Sequence, residues 1–283
     1  MKTITRYSLS KINIQHYFII LVLIFNISSC KEDKINKTEH ISSDLQIDHF
    51  NVWVKNPQKT KEKLTEIGFT SIPDSLSQVH KGQGTAGRYF NFLNGYLELI
   101  FVNDQTEFKK NNTLNPSLDF TKRANFTKNN ASPFSIALKV KDYDTTKISF
   151  QTIPYHQDWM DKNANIYAAK NSNINLAEPS IFVVYPKIES DQFKTMSDLQ
   201  NIPDEYAIWR EFYKHPNGAE KVTNIIISSI HVDLNTNTMK TINGIKNLTV
   251  KKGNEHLMEI FFDHKIQGKT HDLRPELPMI IYL

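Results

Sequence analysis

An imidazole and a carboxylate stand on two segments of this sequence whose side chains alternate in direction. His49 lies in Ile47-Asp48-His49-Phe50-Asn51-Val52-Trp53-Val54, and Glu98 in Gly95-Tyr96-Leu97-Glu98-Leu99-Ile100. In a strand, every second side chain shares a face, so His49 travels with Ile47, Asn51 and Trp53, and Glu98 with Tyr96, Ile100 and Val102. If both faces line one cleft, the two groups converge as a mixed site for Fe, Mn, Zn or Ni would require. The plainer reading is a half-buried polar pair, hydrogen-bonded together or to Asn51.

A second cluster runs from His80 to Arg88 (His80-Lys81-Gly82-Gln83-Gly84-Thr85-Ala86-Gly87-Arg88). Gly82 and Gly84 permit tight turns whose N–H groups could cradle an anionic or carbonyl group, with Arg88 supplying charge. That would make His80, Gly84, Thr85 and Arg88 the substrate-binding residues. Alternatively the glycines only shape a loop that Thr85 and His80 fix by hydrogen bonds. The loop lacks the Gly-Lys-Ser/Thr ending of a phosphate-binding loop, and the chain has no Gly-x-Ser-x-Gly elbow and no His-Glu-x-x-His helix. Tyr155, His156 and Trp159 read first as packing, and His215-Pro-Asn-Gly as a turn.

The elements that must position these groups recur along the chain. Leu45–Lys55 alternates like a strand, and 57–68 follows as a helix with Pro57 in its first turn and Gly68 closing it. Strands follow over 88–92 and 96–102, joined by Asn94-Gly95, a strong two-residue hairpin signal. A second round comprises a strand at 134–140, a short helix at 143–150 and strands at 165–169 and 181–185, with 103–131 expected as a long polar surface loop. A third comprises a strand at 222–232, a helix at 235–242 and strands at 247–250, 257–262 and 279–282. Histidines 80, 156 and 215 and Glu259 are further candidate ligands, because the strands of the second round offer neither histidine nor carboxylate where the first has His49 and Glu98.

The start of the chain reads as targeting. Lys2, Arg6 and Lys11 precede an apolar run, 17–27, and then come Ser28, Ser29 and Cys30, the one cysteine in the sequence. This resembles a bacterial lipobox, which implies a signal peptide over 1–29 and a lipid anchor on Cys30. Residues 30–44 read as a polar tether. With a single cysteine, an intramolecular disulfide is excluded. Three of the four net positive charges of the formal +4 fall within residues 1–29, so the remainder is near neutral and carries no basic patch for nucleic acid.

Together, the His49 strand, the helix ending Ile67-Gly68-Phe69, the His80–Arg88 loop and the Glu98 strand resemble a glyoxalase-like domain of the vicinal oxygen chelate superfamily. One departure is Gly87, where that pattern leads one to expect Asn. The resemblance implies an α+β fold of repeated β-α-β-β-β modules forming a half-open, barrel-like curved sheet around a cleft. Two modules would span 45–219, and 220–283 would be a third, partial module or an extension. It further implies one divalent metal held by His49 and Glu98, with Glu98 catalytic, in a metal-dependent lyase, isomerase or dioxygenase. The expected partners are a small molecule and, through the anchor, a membrane of the cell envelope. A non-catalytic protein that holds or sequesters a small molecule is the alternative.

Overall fold

The structure, a computed structural model, describes residues 44–118 and 120–283. The leader, Cys30 and most of the tether lie outside the described residues. Everything described falls within one compact unit. Among these residues no helix is long and apolar enough to cross a membrane.

The first round forms β1 (Leu45–Trp53), α1 (Pro57–Glu66), β2 (Val79–His80), β3 (Thr85–Phe92) and β4 (Gly95–Val102). The Asn56 side chain accepts from Lys59 N and Pro57 occupies the first turn, so the helix starts where both signals put it. The second round forms β5 (Phe134–Val140), β6 (Thr152–Tyr155), β7 (Ile166–Ala169) and β8 (Ser180–Val183). All eight strands join in one sheet, in the order β2-β3-β4-β1-β5-β8-β7-β6. β1 is the seam: it pairs in parallel with β4 and antiparallel with β5.

Two expectations fail in this half. The helix predicted over 143–150 is replaced by 3-10 turns at Lys141–Tyr143 and Thr145–Lys147, because Asp142 and Tyr143 adopt positive φ, which no α-helix accommodates. The loop predicted over 103–131 is largely helical. Asp104 caps α2 (Gln105–Leu114) by accepting from Thr106 N and Glu107 N, and short helical turns follow at Thr121–Ala124 and Phe126–Asn129. Phe108, Asn111 and Arg123 are buried, which is what anchors this polar segment.

The C-terminal part folds as β9 (Val222–Ser229), α3 (Asn237–Asn243), β10 (Leu248–Lys252), β11 (Leu257–Phe262), β12 (Thr270–Asp272) and β13 (Met279–Tyr282). These strands make a second sheet, ordered β10-β9-β11-β13-β12. β9 and β10 are parallel partners across α3, an order different from that of the eight-stranded sheet.

Alternation divides β4 and, from His49 onward, β1; Ile47, expected to share the face of His49, packs against the core instead, because the register shifts between the two. Phe50, Val52, Leu97 and Leu99 are buried in one continuous core with Phe69, Phe92 and Phe262. The Phe92 ring lies 4.7 Å and the Phe69 ring 5.2 Å from that of Phe262, so the core fills the space between the two sheets. Fully burying such side chains contributes roughly 2–3 kcal/mol each. This leaves the opposite face of the large sheet to line a cleft.

Candidate functional site

That cleft is a cavity of about 460 Å3. It falls within the usual range for small organic ligands, roughly 300–1,000 Å3. His49, Asn51, Tyr96 and Glu98 all line it, so the two groups singled out in the sequence share one wall. Asn51 sits opposite Glu98 in the β1–β4 register, and its Nδ2 donates to Glu98 Oε2 at 2.6 Å. The His49 ring stacks on Tyr96 with centroids 4.2 Å apart and meets Phe182 edge-on at 5.7 Å.

Behind His49 lies a group that alternation would place on the far face. The β1–β5 register shifts between Ile47 and His49, and this irregularity lets Asp48 Oδ1 approach His49 Nδ1 to 2.6 Å. Asp48 is fully buried, and its Oδ2 also accepts from Ser190 N at 2.8 Å and Ser190 Oγ at 3.0 Å. Burial alone would raise the Asp48 carboxyl, but the bonds and charge from His49 and the bonds from Ser190 outweigh it and hold it below its ordinary value. With Nδ1 donating to Asp48, Nε2 is the imidazole atom left to accept from a ligand.

Glu98 ends a relay of donors. Gln83 Nε2 donates to Thr85 Oγ1 at 2.8 Å, and Thr85 Oγ1 meets His80 Nδ1 at 2.7 Å. His80 Nε2 is 2.9 Å from Tyr89 Oη, which donates to Glu98 Oε1 at 3.1 Å. His80 therefore lines the cleft as part of this relay. Burial, then the nearby Glu98 charge, pushes the Tyr89 hydroxyl well above its ordinary value, so it stays a donor.

Gly87 makes room for this pair. A Cβ there would stand 2.4 Å from Tyr89 Cζ and 2.5 Å from Glu98 Oε1. The absence of the Asn anticipated at this position is thus explained by steric need. Gly87→Ala is expected to lower stability by about 1–3 kcal/mol through overpacking, read as a drop in the urea midpoint. An unchanged midpoint would refute this account of the glycine.

Three substrate-binding assignments are corrected. Arg88 projects from the opposite face of β3, where its Nε lies 3.0 Å from Asp74 Oδ1 and its guanidinium covers the Phe101 ring. Gly84 N donates to His80 O, and the Gly84 carbonyl accepts from Asn103 N and Asp104 N, so the loop has spent the backbone groups that were to cradle a ligand. Its φ of +75° is what demands glycine. Thr85 is fully buried behind His80 and serves to orient that ring.

A metal needs more donors than converge here. Among the described residues no group of three or more His, Cys, Asp or Glu side chains could hold an ion. Both Glu98 oxygens already accept from Asn51 and Tyr89. The second-round strands bring Ser135, Ser180 and Phe182 to the cleft. Of the reserve candidates, His80 reaches the cleft but has Nδ1 on Thr85 and Nε2 on Tyr89, and the others are spent elsewhere: His215 bonds Thr70 N and Asn91 O, His156 bonds Ala164 O, and Glu259 bonds Lys251 and Tyr282 in the second sheet. The residues present do not fit a resident divalent ion.

Residues 47–172 match a glyoxalase-like domain. The eight-stranded sheet is the curled half-barrel of the glyoxalase, or vicinal oxygen chelate, fold. A hypothetical protein from Staphylococcus aureus shares the fold at a TM-score of 0.50 and 14% identity, over 84% of this chain and 98% of that one. Methylmalonyl-CoA epimerase from Mycobacterium tuberculosis aligns at a TM-score of 0.32 and 12% identity, over 50% of this chain and 90% of its own. The Streptomyces coelicolor methylmalonyl-CoA epimerase bound to 2-nitronate-propionyl-CoA aligns at 0.30 and 15%, over 50% and 98%. No curated protein matches the chain. Alternation along 47–54 and 96–102 singled out His49 and Glu98 in the sequence, while Asp48, Ser190 and Tyr89 carried no signal of their own.

Proposed function

We propose that this chain is a glyoxalase-like protein of the bacterial cell envelope, anchored by lipid on Cys30, that takes a small organic molecule into its cleft and moves a proton on it. The observation that carries the reading is His49 on the cleft wall with Asp48 behind it, Nδ1 held at 2.6 Å and Nε2 without a protein partner among the described residues. His49 is the base. Its Nε2 takes a proton from the ligand, the bonding electron pair stays on the ligand, and the proton returns at a second position in an isomerisation. In a lyase the same electron pair expels a leaving group. The Tyr96 hydroxyl, which burial keeps protonated, donates to the oxygen on which negative charge grows. Asp48 is a positioning residue that fixes the tautomer. Metal-dependent routes would need donors that the second-round strands do not bring.

A sequestering protein that never turns its ligand over is the second reading. Ser135, Ser180 and Phe182, standing where further reactive groups could have been, favour it.

Native mass spectrometry of chain extracted from its own envelope tests the binding, and lipid on the Cys30 peptide tests the anchor. The recovered compound, incubated with the protein in deuterated water, should exchange a proton. His49→Gln should slow that exchange by about 10²–10⁴-fold while binding persists. Asp48→Asn should slow it and alter its pH profile. Wild-type exchange in His49→Gln overturns the proton-transfer reading, and a bound compound that never exchanges supports sequestration.

A further inference from the structure

We infer that the cleft selects a ligand with a protonated amine at one end of an apolar body; the inference rests on the reading of the cleft as a ligand site. Glu98, 4% exposed, stands at its floor, and a second carboxylate, the fully buried Asp48, lies behind His49 on the neighbouring strand. Among the described residues neither has a lysine or arginine within ion-pair distance, and the ionisable nitrogens nearest them are the imidazoles of His49 and His80. Burying charge in this way is costly unless an opposite charge joins it.

A second observation points the same way. Asn51 is 5% exposed and lines the cleft, and its Nδ2 is committed to Glu98, yet its Oδ1 is buried without any partner among the described residues. A free acceptor beside a carboxylate asks for a donor that carries positive charge. The walls suit such a head as well: Tyr89, Tyr96, Trp53, Phe182 and Trp209 line the cavity, and the face of an aromatic ring attracts a cation.

The cationic side chains that also line the cavity are committed. Arg123 gives its terminal N–H groups to four backbone carbonyls, and Lys187 pairs with Asp161 at 2.8 Å. Glu189 and Asp191 add acid to the lining.

A matched trio of probes tests this on the full chain in detergent, by calorimetry: 2-phenylethylamine, 2-phenylethanol and 3-phenylpropionate. The amine should bind at least about tenfold more tightly than the alcohol, and the carboxylate most weakly. Glu98→Gln should bring amine and alcohol to within about threefold while alcohol binding persists, which also shows that the variant is folded. Equal or tighter alcohol binding by the unaltered chain overturns the amine inference and leaves the ligand cleft standing. Failure of all three probes to bind overturns both.

Discussion

Replacing Arg123 with methionine should lower the stability of this protein by about 3–5 kcal/mol, because it strips the donor from a buried cage of carbonyls. Arg123 is 3% exposed, and its guanidinium donates to Ser132 O at 2.9 Å, Leu176 O at 2.8 Å, Glu178 O at 2.6 Å and Ser172 O. Burial draws the guanidinium down from its ordinary value to about 10, with the Glu178 charge opposing, and it still carries its proton at neutral pH. Methionine fills much of the volume but leaves four acceptors facing nothing, and each orphaned buried acceptor costs about 1–3 kcal/mol before relaxation. Lysine would not rescue the loss, since one ammonium cannot span a planar fork. Urea unfolding measures the effect, with exposed Lys122→Met as a control expected near zero. A loss below 1 kcal/mol in Arg123→Met would show that the cage is not holding the segment between β4 and β5 against the β7–β8 connection.

The second large effect is acid sensitivity at His215. Its Nδ1 accepts from Thr70 N at 3.0 Å and its Nε2 donates to Asn91 O at 2.8 Å, so the native site is built for a neutral ring. Burial lowers its pKa from 6.5 to about 4, against the opposing bond to Asn91 and the charge of Asp263. Because the folded value lies below the unfolded one, between about pH 6.5 and 4 the unfolded chain binds a proton that the native chain refuses. Stability is then lost as the pH falls, by about 1.4 kcal/mol per unit and about 3 kcal/mol in all. His256 is lowered in the same direction by burial, so it adds to the slope. Urea titrations at pH 7 and pH 4.5 should differ accordingly, and His215→Gln should flatten the difference. Identical pH slopes for both proteins would rule out His215 as the source.

The legible parts of the sequence are those where one local rule acts alone. The period-2 pattern of 96–102, and that of β1 from His49 onward, sent His49 and Glu98 to one wall, and Asn94-Gly95 marked the β3–β4 hairpin, although Phe92 pairs with Gly95 and the two loop residues are Leu93 and Asn94. Arg88 shows the same rule left unapplied: counting along β3 from Tyr89 would have put it on the far face. The segment over 103–131 was opaque because it buries Phe108 and Arg123 within a polar composition, so no apolar stripe announces α2. β6 is obscured by Pro154, which suits an outermost strand. Asp48 is the instructive miss. An irregular register between Ile47 and His49 overrides alternation, and Ser190, which completes its hydrogen bonds, is 142 residues away in sequence.

The position of β1 between β4 and β5 carries a consequence for how the fold opens. Neither half of the large sheet can peel away without breaking the ladder that holds His49 and Asn51, so the cleft floor should be among the last backbone to exchange its amide hydrogens with solvent. A guest seated there would rest on the most rigid rib of the molecule, and its occupancy would tie both halves into a single melting unit.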